Sequence, residues 1–169
     1  MNSCPVRLRE HVPSDIERFC ELQMSSQVAR HVSWLPRTRA QCEHALADAI
    51  AQQRSAERKR FFYAIECQHV KGMIGSVGYT IRDSVSADCG WFLLPDFWGK
   101  GYATHAICAL LVLAFGSGRM MSLTASCAIE NRASLRVAEK CGFRLIATIS
   151  DRCTFEIHKE EVNRHSVKM

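Results

Sequence analysis

The chain has 169 residues, of which 47% are hydrophobic and 23% charged, and it carries a formal net charge of +5. That length fits one domain, residues 1–169, with apolar content enough for a full core, and the run Ile107–Phe115 is too short to cross a bilayer. The opening MNSCPVRLREHV lacks the apolar centre of a signal peptide, so a cytoplasmic protein with no membrane role is expected.

Val6 and Leu8 alternate with Arg7 and Arg9, which predicts a first strand. Ser14 and Glu17 have the spacing of a capping box, and Ile16, Phe19, Cys20 and Met24 follow helical spacing. Thr38 and Gln41 form a second capping box, ahead of a helix that buries Cys42, Ala45, Leu46, Ala49 and Ile50. The basic stretch RSAERKR, Arg54 to Arg60, reads as a solvated helix end and not as a nucleic-acid patch. The period then changes. RFFYAIEC (60–67), MIGSVGYTIRD (73–83) and DCGWFLLP (88–95) predict an antiparallel meander, with Gly75 and Gly78 marking a bulge or a close backbone approach.

A helix is predicted from Gly101 to about Phe115, stopped by Gly116-Ser117-Gly118. Met120 to Ala128 reads as a strand. Asn131 caps a helix to Cys141, with Gly142 just past its end. Phe143–Ile149 and Cys153–His158 supply two closing strands. The order β-α-α-β-β-β-α-β-α-β-β places the chain in the α/β (α+β) class, around a mixed central sheet. Nine cysteines are scattered without a C-x-x-C pair, which suits small buried hydrophobes better than disulfides or metal ligands.

The stretch WGKGYAT, residues 98–104, stands where a strand hands over to a helix. The first N–H groups of a helix lack intrahelical partners, and its dipole adds partial positive charge there. Gly99, Gly101 and Ala103 keep side chains away, so an anion can reach the bare backbone, and Lys100 can add a full charge. The spacing matches neither a P-loop nor a dinucleotide fingerprint, and a turn that needs glycine for its backbone angles explains it equally well.

Together, LLPDFWGKGYAT and ENRASLRVAEKCGF resemble the GNAT superfamily of acyl-CoA-dependent N-acetyltransferases, closest to its RimJ/RimL-like branch. VRLREHVPSDIERFCEL resembles the opening strand and helix of that branch, so the likeness extends over nearly the whole chain. It implies a mixed, mostly antiparallel sheet of about seven strands with about four helices, and a V-shaped slot opened by a bulge. It implies acetyl-CoA as cofactor, with Phe92, Leu93, Leu94, Trp98, Gly99, Lys100, Gly101, Tyr102, Ala103, Thr104, Asn131 and Ser134 as its binding residues. Trp98 stands where the wider superfamily often has Gln or Arg, and His105 where the branch often has Glu.

Many relatives protonate the departing thiolate with a Tyr seven residues after the Asn; here that residue is Ala138. Ser134, by its spacing a capping-turn serine, is the substitute acid that the resemblance to this branch implies. Asp88 is the leading candidate for the base that deprotonates the amine, with Glu66 behind it. His31 and Trp34 fall in the segment that lines the acceptor side. Cys89 and Cys127 flank the expected slot without an adjacent His, which disfavours a covalent acetyl-cysteine route. The implied activity is direct acetyl transfer to a primary amine, either a peptide N-terminus or a small molecule, with a homodimer as the assembly common among relatives. A non-catalytic acyl-CoA-binding module is the competing reading, since the usual Tyr is missing.

Overall fold

The structure, a computed structural model, describes residues 6–32 and 37–165, with side chains through Val162. Trp34 therefore lies outside the described residues. Strand β1 (Val6–Glu10) leads through a 3-10 turn (Pro13–Asp15) into α1 (Ile16–Met24), α2 (Ser26–Ala29) and α3 (Arg39–Gln52). The meander follows as β2 (Arg60–Cys67), β3 (Gly75–Ile81) and β4 (Ser86–Leu93). After a second 3-10 turn (Pro95–Phe97) come α4 (Tyr102–Gly116), β5 (Ser122–Ala128), α5 (Arg132–Lys140), β6 (Arg144–Ile149), β7 (Arg152–His158) and α6 (Lys159–His165).

The seven strands form one sheet in the order β1-β2-β3-β4-β5-β7-β6. Every pairing is antiparallel except that of β4 with β5. Strand alternation sends neighbouring side chains to opposite faces. In β2, Ile65 joins a core with Ile107, Leu110 and Phe115 of α4, whereas the adjacent Ala64 joins Phe19, Leu22, Cys42 and Leu46 of α1 and α3. The sheet thus separates two hydrophobic clusters. Helix α4 buries Ala106, Ile107, Leu110, Leu111, Ala114 and Phe115 in the larger one, while Val112 and Leu113 on its outer side are exposed. Cys20, Cys42, Cys67, Cys127, Cys141 and Cys153 are buried free thiols. No helix among the described residues is long and apolar enough to cross a membrane.

Local sequence signals were realised unevenly. Thr38 and Gln41 do exchange both bonds of a capping box, at 3.4 and 2.8 Å. Ser14 and Glu17 do not. Asp15 accepts the Val12 N–H at 3.0 Å and both guanidinium nitrogens of Arg9 at 2.7 Å, while Glu17 turns to Arg39 at 2.6 Å. A charge-assisted bidentate pair outweighs a neutral serine cap. The short α2 and the terminal α6 also go beyond the predicted order. Glu161 anchors α6 by accepting the His158 N–H at 2.9 Å. Gly75 and Gly78 mark close backbone approach: an added Cβ would sit 2.2 Å from the Phe92 carbonyl oxygen and 2.3 Å from that of Phe61. No bulge interrupts β3 and β4, which pair in unbroken register from Gly75–Leu93 to Ile81–Ala87.

Candidate active site

Strands β4 and β5 pair only over Ser86–Asp88 and Ser122–Thr124. Beyond that point both continue, β4 to Leu93 and β5 to Ala128, but they diverge. The slot therefore comes from the parting of two parallel strands and not from a bulge in β4. Parallel neighbours require a long crossover, and α4 supplies it.

The chain leaves β4 through Pro95–Phe97 and meets α4 at the glycine-containing stretch. Gly99 and Gly101 have φ of 72° and 85°, in the left-handed region that disfavours other residues. An added Cβ at either would meet nothing within 4 Å, so both glycines face open space. Gly101 is the N-cap of α4 and no side chain caps the helix. The first turn of α4 thus presents its backbone to a cavity of about 610 Å³ that includes Gly99, Gly101, Tyr102, Ala103 and Thr104 in its walls. Trp98 braces the loop: its indole N–H donates to the Leu93 carbonyl at 2.8 Å, and its ring meets His31 edge-on at 5.9 Å. Lys100 turns away, with its ammonium donating to the Asp96 carbonyl at 2.7 Å.

The opposite wall comes from α5. Asn131 is buried and accepts the Ser134 backbone N–H through Oδ1 at 3.1 Å. That bond caps the helix and uses the serine amide, not its hydroxyl. Asn131, Ser134, Arg136, Ala138 and Lys140 all line the cavity, as do Cys89 to Leu93 of β4 and Val28, His31 and Val32 from the end of α2. Ser126 and Cys127 of β5 and Arg152 of β7 complete it.

The predicted residues thus divide. Phe92, Leu93, Trp98, Gly99, Gly101, Tyr102, Ala103, Thr104, Asn131, Ser134 and His31 meet in one cavity. Leu94 does not, since it is buried with the α1–α3 cluster. Glu66 is drawn to Arg9 at 2.6 Å on the β1–β2 side. Asp88 is exposed at the root of the splay and pairs with Arg82 at 3.2 Å. Neither carboxylate lines the cavity. Arg152 escaped the sequence reading because its place at the slot depends on the β5–β7 register. Burial pushes the Cys89 thiol up to about 12 and also raises that of Cys127, which leaves both poor nucleophiles. Among the described residues, no three His, Cys, Asp or Glu side chains form a metal-binding group.

An open helix N-terminus beside basic Arg136 and Lys140 is chemically suited to phosphates, and a splayed strand edge to an extended amide-bearing arm. The coenzyme A shape, a pyrophosphate joined to a pantetheine, fits that pair of features. Residues 6–144 match the acetyltransferase (GNAT) domain family. The uncharacterized Bacillus subtilis (strain 168) protein YkkB is 33% identical over 78 residues, 46% of this chain and 45% of YkkB, so this match spans less than half the length of that relative. Among solved structures, a spermidine N-acetyltransferase from Vibrio cholerae, in complex with CoA and spermine, superposes with a TM-score of 0.80 at 19% identity, covering 94% of this chain and 98% of that one. RimL, a ribosomal L7/L12 alpha-N-protein acetyltransferase in complex with CoA, gives a TM-score of 0.79 at 18% identity, covering 91% and 94%. Similarity at this level establishes the shared fold.

Proposed function

This chain belongs to the GNAT acetyltransferase family, and from that membership we propose that it transfers the acetyl group of acetyl-CoA directly to a primary amine. In this reading the whole chain acts as one cytoplasmic catalytic domain. The observation that carries it is the meeting of an uncapped α4 N-terminus with the β4–β5 splay in one cavity. Bound acetyl-CoA supplies an acyl group already activated as a thioester.

The protein's own residues do the rest. The first turn of α4 holds the pyrophosphate through backbone N–H groups, aided by Arg136 and Lys140. The divergent end of β4 would pair with the pantetheine arm as if with another strand, and its free amides would be able to polarise the thioester carbonyl. Ser134, on the Asn131-capped turn, offers its hydroxyl proton to the departing thiolate. The amine must lose a proton before it attacks, and among the described residues the cavity wall contains no carboxylate. His31 is the imidazole in that wall, so it takes this proton, directly or through water. Holding the two reactants together supplies much of the rate.

The RimJ/RimL-like branch is the finer assignment, resting on Ser134 in place of the usual acid. A homodimer built across the outer strand β6 belongs to the same reading, because Leu145, Ile146 and Ile149 there are 54–73% exposed. A thiol-release assay with acetyl-CoA and a panel of amines and N-terminal peptides tests the activity. Ser134→Ala should lower kcat by about 100-fold or more, the range for general-acid groups, with CoA affinity nearly unchanged. Unchanged turnover removes Ser134 from the mechanism. The competing reading, a non-catalytic acyl-CoA-binding module, is favoured by the carboxylate-free wall. It predicts CoA binding without thiol release for every amine.

A further inference from the structure

We propose that the acceptor is a monoamine whose neighbouring groups are apolar and anionic, with the anion taken by Arg152, and that polycationic amines are excluded. This inference rests on the acetyltransferase reading and deepens it.

The charges that line the cavity have one sign. Arg136, Lys140 and Arg152 belong to its wall, and among the described residues no Asp or Glu does. The three cations also stand in two places. Arg136 and Lys140 lie on α5, the helix that carries Asn131 and Ser134, where the cofactor phosphates account for them.

Arg152 is on a different element and a different face. In β5 and β7, Cys127, Cys153, Phe155 and Ile157 pack into the core beneath α4. Alternation sends Ser126, Arg152 and Thr154 to the other face. There the Arg152 guanidinium donates to the Ser126 carbonyl at 3.3 Å, and the Ser126 and Thr154 hydroxyls meet at 3.2 Å. One bond to a carbonyl leaves most of the five guanidinium donors for a second partner, and a planar fork suits a carboxylate or phosphate.

The same face does carry acids, Asp88 and Glu156, but both lie outside the cavity wall. Asp88 faces Arg82 at 3.2 Å and Glu156 faces His158 at 3.1 Å. A polyamine or aminoglycoside would bring several ammonium groups to a wall whose charged side chains, among the described residues, are Arg136, Lys140 and Arg152, with neutral groups such as Thr104 and Ser126 and no carboxylate to balance the added charge. An amine beside an apolar group meets Val28, Val32, Phe92 and Trp98 instead. Such an acceptor can be a free amino acid or the N-terminus of an acidic peptide.

Thiol release separates these cases. L-phenylalanine is compared with its carboxamide, a peptide of sequence Phe-Glu-Asp-Glu with Phe-Lys-Arg-Lys, and all four with spermidine and tobramycin. The acidic member of each pair should have a kcat/KM at least tenfold above its neutral or basic counterpart, and the two polycations should be poor substrates. Arg152→Ala should erase that preference and Arg152→Lys should restore part of it, with melting temperatures near that of the parent protein. Better turnover of spermidine or tobramycin, or an acidic preference that survives Arg152→Ala, overturns the acceptor assignment and leaves the transferase reading intact. Silence with every amine, despite CoA binding, overturns the transferase reading. The acceptor question is then decided by titrating the same probes into the CoA-saturated protein: tighter binding of the acidic members supports the assignment, and tighter spermidine binding or no binding at all ends it.

Discussion

Gly101 shows how much one residue can carry. Its φ of 85° costs an L-residue about 1–2 kcal/mol, while the space beside it stays open for a ligand. Gly101→Ala should therefore cost roughly that much stability by denaturant titration and, in addition, weaken CoA by tenfold or more in calorimetry, because a methyl group enters the anion's approach. CoA affinity equal to that of the parent protein would move the pyrophosphate elsewhere. Asp15 makes a separate case. Burial opposes its charge, yet Arg9, His11 and the Val12 N–H together hold its carboxyl well below the usual carboxylate range. A depressed carboxylate stabilises the fold above the unfolded-state value of about 3.9, and the contribution fades as pH falls below it. The melting temperature should thus decline from about pH 4 downward, with a shallower decline in Asp15→Asn. Equal slopes in both proteins would deny Asp15 that role.

Among elements, capping and divergence matter most. Thr38→Ala removes a hydrogen-bonded cap from α3 and should cost about 1 kcal/mol in chemical denaturation, with kcat near that of the parent, since α3 only backs the α1–α3 cluster. A drop in kcat beyond the stability change would connect α3 to the slot. The capping box at Thr38 was legible in the sequence because its two partners are three residues apart and nothing else competes for them. The Ser14 spacing does not become a box because Asp15 has a stronger partner in Arg9, across the turn. The β4–β5 splay could not be foreseen as an unbulged divergence, because strand period says nothing about where two non-adjacent segments stop pairing.

For the molecule as a whole, ligand and fold are linked. CoA binds the folded state only, so at a concentration of 100 times Kd it should add about 2.7 kcal/mol of stability. A thermal-shift titration should show a saturable rise in melting temperature with CoA and little with ATP or NAD at the same concentration. Equal shifts with all three would mean a general phosphate site. The two clusters on either side of the sheet make this coupling plausible in physical terms: the cavity touches β4, α4, β5, α5 and β7, so its occupant is in contact with elements packed into the larger core.

By itself the sequence determined all seven strands, four of the helices, the glycine loop and the Asn131 cap, since each depends on periodicity or on residues close in the chain, and its two motifs carried the resemblance to the family. Only the tertiary structure decided which carboxylates reach the cavity. Glu66 and Asp88 were reasonable bases in a linear reading, but strand register gives each an arginine partner and keeps both out of the wall. The same register brings Arg152 to the slot from a segment that carried no motif. Charge pairing and face selection act between residues far apart in sequence, and only the assembled sheet brings those residues together.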